Sequence, residues 1–139
     1  MDQMPEIYCA IVLNFDKIIA EAPPFTDDIK TMDIKGVKFW LPKHRKGSKL
    51  TIAEIYYEKF WDLEDALTHL FQIVDGKLPT IKEINKKYNG KVLLDIAFYQ
   101  YGTYPSLTLD GQNMEKIRFL EADISIDPYG PFNDQSGDG

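Results

Sequence analysis

The chain has 139 residues, of which 44% are hydrophobic and 13% aromatic, and this is enough apolar material for one ordinary domain. Its formal net charge of −6 argues against nucleic-acid binding, because such proteins carry a basic excess that neutralises phosphates. The same charge is compatible with a basic protein partner. The single cysteine, Cys9, excludes an intramolecular disulfide and favours a reducing compartment.

The N-terminus lacks the features of a secretion signal. Asp2 and Glu6 stand where a signal peptide carries positive charge. The longest apolar run, residues 7–13, is far shorter than the roughly 20 residues that a membrane-spanning helix needs. We therefore expect a cytoplasmic protein that does not associate with a membrane.

The first predicted element is a buried strand. Residues 7–15 are apolar at both odd and even positions, which is typical of a strand buried on both faces at the centre of a sheet. Residues 16–33 are predicted to be a connection with one short helical turn, because Pro23 and Pro24 break any helix that begins at Lys17.

A β-hairpin with a basic loop is predicted next. Its strands are residues 36–41 and 50–60, and the loop between them is residues 42–49. With Trp40 as a stacking surface, the loop offers a site for an anion or a nucleic acid, although a solvated turn has the same composition. The basic side chains of the loop are Lys43, His44, Arg45, Lys46 and Lys49.

The clearest predicted helix spans residues 62–74, where apolar residues recur at helical spacing along one face. Asp62 is a suitable N-cap, and Glu64 and Asp65 favour the positive end of the helix dipole. Gly76 ends the helix. The apolar stripe consists of Leu63, Ala66, Leu67, Leu70, Phe71 and Val74.

A second helix is predicted to begin at Thr80, which forms a capping box with Glu83. The pair Asn89 and Gly90 is a typical C-terminal signal. The strand that follows, residues 91–100, carries an alternating apolar face of Val92, Leu94, Ile96 and Phe98.

Two short elements complete the chain. Asp110 is predicted to cap a third helix, on which Met114, Ile117 and Leu120 are the apolar residues. Residues 123–127 alternate as a strand, with Ile124 and Ile126 pointing inward.

This order of elements predicts an α+β fold. Helices grouped on one face of a mainly antiparallel sheet bury the long apolar stripe. Residues 62–127 read as helix, strand, helix and strand, which gives this half a ferredoxin-like character. We expect one domain over residues 1–130, followed by a flexible acidic tail at residues 131–139.

Catalytic signatures are missing from the sequence. A nucleophilic cysteine needs an electropositive or histidine-containing environment, and neither His44 nor His69 is fixed beside Cys9. Cys9 is instead expected to be a buried, inert residue of the first strand. No metal-ligand spacing, phosphate-binding glycine loop or G-x-S-x-G motif occurs. We therefore predict no enzyme, no catalytic residue, no metal and no cofactor.

Asp123 and Asp127 lie on one face of the last predicted strand, with Ser125 between them. Paired carboxylates can bind a cation or act as an acid and a base. The same pattern is typical of the solvated face of a half-buried strand, and this interpretation is favoured.

Tyrosines are concentrated near the end of the strand at residues 91–100. Tyr99, Tyr101, Tyr104 and Tyr129 fall there, and they are candidates to line a recognition groove because amphipathic aromatic residues favour such surfaces. The edge of a hydrophobic core is the alternative interpretation. Other aromatic residues that can contribute are Tyr56, Tyr57, Phe60 and Trp61.

From about Tyr56 to Tyr129, the chain resembles the bacterial family called domain of unknown function 4279. The resemblance rests on a turn with the pattern YG..P.L.L and on the closing strand ADISIDPY. The residues of the turn pattern are Tyr101, Gly102, Pro105, Leu107 and Leu109. The resemblance implies a fold without established catalytic residues. Small bacterial domains of this kind are sometimes proposed to be immunity proteins that neutralise a toxin.

Three functions follow from these observations. The first is a protein-binding module of the immunity type, with Glu64, Asp65, Asp123, Asp127 and the exposed tyrosines as contacts. The second is a small-molecule-binding or enzymatic domain that uses the aromatic groove and the aspartate pair. The third is a homo-oligomer that buries an exposed strand edge against its copy.

Overall fold

A computed structural model describes residues 4–16, 23–40 and 47–130 of the chain. The tip of the predicted basic loop, residues 43–46, and the predicted tail, residues 131–139, lie outside these ranges. The strands are β1 (Glu6–Phe15), β2 (Lys38–Trp40), β3 (Ser48–Lys59), β4 (Lys91–Tyr99) and β5 (Asp123–Tyr129). The helices are α1 (Pro23–Met32), α2 (Leu63–Ile73), α3 (Leu78–Lys87) and α4 (Gly111–Leu120).

The strands form one sheet in the order β2-β3-β1-β4-β5. β1 is the central strand, as its apolar composition predicted. β2, β3, β1 and β4 pair antiparallel, and β5 pairs parallel to β4 after the crossover through α4. The predicted α+β fold with a mainly antiparallel sheet is confirmed.

All four helices contribute to a core on one face of the sheet. The core includes Ile7, Ile11 and Leu13 of β1, whereas Ala10 and Val12 of the same strand belong to the opposite face. The prediction that the helices pack on one face is therefore confirmed. None of the described helices is long and apolar enough to cross a membrane. The helices supply Phe25, Met32, Leu63, Leu67, Leu70, Ile81, Ile84, Ile117 and Leu120 to this core.

The strand β5 is less buried than its alternating pattern predicted. Its register with β4 places Ile124 and Ile126 on the face that the helices cover. Their side chains nevertheless remain 44% and 42% exposed, because β5 is an edge strand and has a neighbour on one side only.

The helix α1 corrects the prediction of a connection with one short helical turn. Residues 23–32 form ten helical residues, and both prolines belong to the first turn. Proline is tolerated there because the first backbone N–H groups of a helix have no intrahelical acceptor. Phe25 and Met32 are fully buried, so α1 is part of the core.

Only some of the predicted helix caps are present in the structure. Asp62 occupies the N-cap of α2 as predicted, but its side chain accepts no capping bond. The prediction of a capping box at Thr80 is wrong, because α3 begins two residues earlier, at Leu78, and carries Pro79 in its first turn. Asp110 caps α4 as predicted, and its carboxylate accepts a first-turn backbone N–H at 2.8 Å.

The carboxylate of Asp28 connects α1 to the end of α3. Its Oδ2 accepts hydrogen bonds from the Tyr88 hydroxyl at 2.6 Å and from the Lys87 ammonium at 2.9 Å. These donors, with Tyr88 first, hold the pKa of Asp28 below its usual value. The ionised form of Asp28 is therefore favoured by folding.

This shift predicts a pH-dependent loss of stability in Asp28→Asn. Because the folded pKa is lowered, the contribution of Asp28 is present above its unfolded pKa of about 3.9 and disappears as the pH falls through the folded value. Urea unfolding should show the variant less stable than the wild type at neutral pH and equal to it in strong acid. Asp27→Asn, at an exposed neighbour, is the control and should match the wild type throughout. A pH-independent difference would contradict the assignment.

The helices α3 and α4 end in the same backbone motif with different residues. In α4 the amide of Ala122 donates to the Ile117 carbonyl at 3.1 Å, and Glu121 adopts a left-handed φ of 54°. In α3 the left-handed position is held by Asn89, a residue that tolerates this conformation. Glu121 has a Cβ that crowds the backbone there, so the end of α4 is strained.

Replacing this residue should therefore stabilise the protein. Glu121→Gly is expected to raise the free energy of unfolding by about 1 kcal/mol, because glycine adopts the left-handed conformation without steric cost. Urea denaturation followed by circular dichroism measures the change. Glu115→Gly, at an exposed position within the same helix, is the control and should lower stability by about 1 kcal/mol. Equal signs for the two changes would contradict the prediction.

Candidate functional site

Five tyrosines form a continuous cluster on the sheet face that none of the described helices covers. Because β1 begins where β3, β4 and β5 end, the tyrosines near these strand ends lie side by side. Neighbouring ring centroids are 4.7 to 5.9 Å apart, within the range of favourable aromatic pairs. We call this group the tyrosine cluster: Tyr8, Tyr56, Tyr57, Tyr99 and Tyr129.

A β-bulge brings two members of the tyrosine cluster to the same place. Tyr56 and Tyr57 of β3 together oppose the single residue Tyr8 of β1, and both rings contact the Tyr8 ring. Tyr57 adopts a left-handed φ of 49°, which costs a non-glycine residue about 1–2 kcal/mol. The fold thus retains a strained residue at the centre of an aromatic surface, a feature that is concentrated at functional sites.

A groove of about 440 Å³ runs along the tyrosine cluster. The Tyr101 hydroxyl donates a short hydrogen bond to the Glu6 carboxylate at its edge. This volume lies within the range of about 300–1,000 Å³ that is typical of ligand pockets. The groove is lined by Glu6, Tyr56, Tyr57, Tyr99 and Tyr101.

Three phenols at or beside the groove, those of Tyr8, Tyr57 and Tyr101, have raised pKa values and stay protonated at neutral pH. Burial and the neighbouring Tyr99 raise the pKa of Tyr57 to about 12. The hydrogen bond to Glu6, followed by burial, raises the pKa of Tyr101 to about 12. Burial and Glu54 also raise the pKa of Tyr8. Among the described residues of the lining Glu6 is the acidic one, and the Tyr57 and Tyr101 phenols are neutral hydrogen-bonding groups.

The rest of this face carries acidic and basic side chains of the central strands. Burial raises the pKa of Asp95 on β4, with Lys49 opposing this shift and Asp127 adding to it. The carboxylate of Glu54 accepts a hydrogen bond from Tyr8 at 3.2 Å and forms an ion pair with Lys38. Glu54 and Asp95 are both cross-strand partners of Ala10, so these charged side chains lie beside the tyrosine cluster along β1.

The structure divides the predicted site residues between the two faces of the molecule. Tyr99 and Tyr101 line the groove, and Asp123 and Asp127 lie on the same face by their register with β4. Tyr104 lies elsewhere, with its ring centroid 6.0 Å from that of Phe98, whose side chain belongs to the core under the helices.

Glu64 and Asp65 lie in the first turn of α2, within the helical layer. The carboxyl group of Glu64 has a raised pKa, chiefly because it shares a hydrogen bond with Asp110. The backbone carbonyl of Glu64 accepts a hydrogen bond at 3.3 Å from the side-chain amide of Asn113. Asn113 is buried, and its amide also donates to the Thr68 hydroxyl. Glu64 therefore belongs to the junction of α2 and α4.

The aspartates of β5 are too far apart to act as a pair. Asp123 and Asp127 are four residues apart on one strand, which corresponds to about 13 Å at the strand rise of roughly 3.3 Å per residue. One cation or one reacting group cannot contact both carboxylates across this distance. Among the described residues, no group of three or more acidic, histidine or cysteine side chains is placed to hold a metal ion.

Cys9 and His69 lie apart from the tyrosine cluster. The Cys9 side chain is buried under α2, where its Sγ lies 3.8 Å from the Ala66 carbonyl oxygen. Burial raises its pKa to about 12, so the reactive thiolate is scarce at neutral pH. His69 is exposed and packs edge-to-face against Phe60.

The burial of Cys9 predicts a large protection from thiol reagents. Ellman's reagent at pH 8 should label the native protein at least about a thousandfold more slowly than the urea-unfolded chain, because access and thiolate fraction both fall. The absorbance of the released nitrothiobenzoate measures both rates. Labelling at comparable rates in the two states would contradict the described position of Cys9.

A second groove, of about 520 Å³, lies between α3 and α4. Its main apolar residues are Leu78, Pro79 and Phe119, and the Lys82 ammonium lies 4.6 Å from the centroid of the Phe119 ring. One face of the Phe119 ring is thus already in contact with a cation of the same chain. The tyrosine cluster is the better candidate because its polar groups converge on one acidic, aromatic lining.

Sequence reasoning identified only part of this site. Tyr56, Tyr57, Tyr99, Tyr101 and Tyr129 were predicted to contribute to a groove, and the structure brings them together. The lining residue Glu6 and the contacting Tyr8 were missed, because they lie more than 45 positions before the other tyrosines. The alternation of β1 indicates that both residues are on the face away from Ile7, but the pairing partners appear only in the fold.

The fold and this surface define a small α+β protein with one helix-covered face and one tyrosine-bearing face. The family described as Domain of unknown function (DUF4279) matches residues 31–131, most of the chain, and the protein belongs to this family. The match confirms the resemblance seen in the sequence and extends it back to residue 31, so that it also covers β2 and the whole of β3. No curated protein and no solved structure matches the chain.

Proposed function

We propose that the protein is a cytoplasmic binding module that recognises a basic protein partner through the tyrosine cluster, as an immunity protein recognises a toxin. The tyrosine cluster carries the proposal. Tyrosine supplies a large, stiff contact area with a hydrogen-bonding tip, and it is enriched at the energetic centres of protein interfaces. Tyr56 and Tyr129 are exposed large aromatic residues at the two ends of this surface.

The charge of the chain supports a basic partner. Its formal net charge is −6, and Glu6 lines the groove while Asp127 lies on the same face of the sheet. An acidic surface raises the rate of association with a basic protein and disfavours acidic competitors. The proposal assigns binding rather than catalysis to this surface, since Cys9 and His69 lie elsewhere in the part of the chain that the structure describes.

Cross-linking in the native host tests this proposal. The tagged protein is compared with the double variant Tyr57→Asn, Tyr99→Thr, in which asparagine tolerates the left-handed backbone and threonine favours a strand. We expect the wild type to capture a basic protein and the double variant to capture at least about tenfold less of the same protein. Tyr104→Thr changes an exposed tyrosine outside the tyrosine cluster and is the control.

The immunity role has a more specific readout. Expression of the captured partner should arrest growth of a bacterial culture, and co-expression of the wild-type protein or of Tyr104→Thr should restore growth. The double variant should fail to do so while retaining the wild-type circular dichroism spectrum. Capture that is equal in all three proteins would contradict the proposal. A dimer in light scattering that only the double variant loses would instead support the homo-oligomer.

A further inference from the structure

We propose that the groove of the tyrosine cluster binds the guanidinium group of an arginine side chain supplied by the basic partner. This inference rests on the proposed function, because it names the chemical group that the binding module recognises. Four tyrosines and one carboxylate line the groove, and this is the composition of a site for an organic cation.

The lining is electrostatically suited to a cation. The face of each phenol ring carries the negative part of the ring quadrupole and attracts a positive charge placed over it. The Tyr57 and Tyr101 phenols remain neutral donors and acceptors because their pKa values are raised to about 12, while the carboxylate of Glu6 adds a formal negative charge to the lining. An organic cation thus finds both an aromatic surface and a counter-ion in one place.

A cation of the same chain is the first competitor to consider. Lys59 is the cross-strand partner of Glu6, and its side chain is exposed. The ion pairs found among the described residues are Lys38 with Glu54 and Lys87 with Asp28, so they do not include Lys59 with Glu6. Among the residues that the structure describes, no lysine or arginine lines the groove.

The ring arrangement favours guanidinium over ammonium. The rings of Tyr57 and Tyr99, which both line the groove, are tilted by 31° with centroids 4.7 Å apart, and they belong to a loosely stacked row that also includes Tyr8 and Tyr129. A planar guanidinium can stack on such a ring while its N–H groups donate to a carboxylate. An ammonium group has no plane with which to stack.

Titration with matched probes tests the inference directly. N-acetyl-arginine methylamide is compared with N-acetyl-citrulline methylamide, which has nearly the same shape and no charge, by NMR of protein with labelled tyrosine rings. We expect saturable shifts of the Tyr57 and Tyr99 rings with the arginine probe and at least about tenfold weaker binding of the citrulline probe. The Tyr104 ring is the internal control and should not shift.

Two variants separate the parts of the site. Glu6→Gln keeps the shape of the side chain and removes its charge. It should weaken binding of the arginine probe several-fold and leave binding of the citrulline probe unchanged. Tyr99→Thr should abolish saturable binding of the arginine probe, whereas Tyr104→Thr should bind it as the wild type does. Equal binding of the two probes, insensitivity to Glu6→Gln, or tighter binding of tetramethylammonium than of arginine would each overturn the inference.

The outcome can be distinguished from failure of the proposed function. If capture of a partner depends on Tyr57 and Tyr99 but the arginine and citrulline probes bind equally, the binding module stands and the arginine assignment is wrong. If the arginine probe binds with the expected specificity and capture does not depend on these tyrosines, the groove chemistry is supported and the protein partner is not.

Discussion

Phe25→Ala is expected to lower the free energy of unfolding by about 3–5 kcal/mol. The Phe25 side chain is fully buried, and its ring packs edge-to-face against Phe15 at 5.5 Å and against Tyr88 at 4.9 Å. Truncation removes this buried surface and leaves a cavity between α1, β1 and the end of α3. Urea denaturation followed by circular dichroism measures the loss.

Two controls define the origin of this loss. Phe25→Leu keeps much of the apolar volume and should cost clearly less than Phe25→Ala. Lys30→Ala changes an exposed position of the same helix and should stay within about 0.5 kcal/mol of the wild type. A loss below 1 kcal/mol in Phe25→Ala would mean that α1 does not pack on the sheet as described.

Gly90→Ala is expected to cost about 1–3 kcal/mol by overpacking the same region. A Cβ at this position would lie 2.5 Å from Cε1 of the Phe15 ring and would also overlap Oδ1 of Asn85. Neither neighbour can move easily, because Phe15 is buried against Phe25 and Asn85 belongs to α3. The midpoint of urea unfolding should fall while its slope stays constant.

A position with open space around it provides the control for Gly90→Ala. A Cβ on Gly111, in the first turn of α4, meets no atom within 4 Å, so Gly111→Ala should be neutral or slightly stabilising. In a Phe25→Leu background Gly90→Ala should cost less than in the wild type, because Phe15 then has room to move. Strict additivity of the two changes would contradict the contact of Gly90 with Phe15.

The buried core and the tyrosine cluster depend on different sides of β1. The side chains of Ile7, Ile11 and Leu13 pack in the core under the helices, whereas the Tyr8 side chain belongs to the tyrosine cluster on the opposite face. Variants of Phe25 and Gly90 should therefore change stability without changing recognition by the tyrosine cluster. Variants of Tyr99 should chiefly do the reverse. This separation allows the proposed binding function to be tested in folded protein.

Much of the fold was predictable because its patterns are local. The unbroken apolar run of β1 indicated a central strand, and the spacing of Leu63, Leu67 and Leu70 indicated α2. Asp110 marked the start of α4 through capping chemistry that involves only four consecutive residues. Each of these signals acts between neighbours in the chain, so no knowledge of pairing was needed.

The wrong predictions concern the starts of α1 and α3, where the same residue type is compatible with two local structures. Proline breaks a helix in its interior and favours a helix in its first turn, and the sequence around Pro23 and Pro24 does not distinguish these cases. In the folded protein Phe25 is fully buried, so packing of α1 on the core stabilises the helix. This packing outweighs the weak intrinsic helix propensity of the segment. Pro79 in the first turn of α3 displaced the predicted capping box at Thr80 in the same way.

By itself the sequence determined that the protein is an acidic α+β chain of the DUF4279 type, with a central strand and no catalytic motif. Only the tertiary structure decided which tyrosines meet. Strand pairing places Tyr57 beside both Tyr8 and Tyr99, which are tens of residues away in the chain, and a bulge adds Tyr56 to the same group. The same pairing separates Tyr104 and Glu64 from the groove. Such proximity depends on strand register and on the choice of sheet face, which arise from long-range packing rather than from neighbours in the chain.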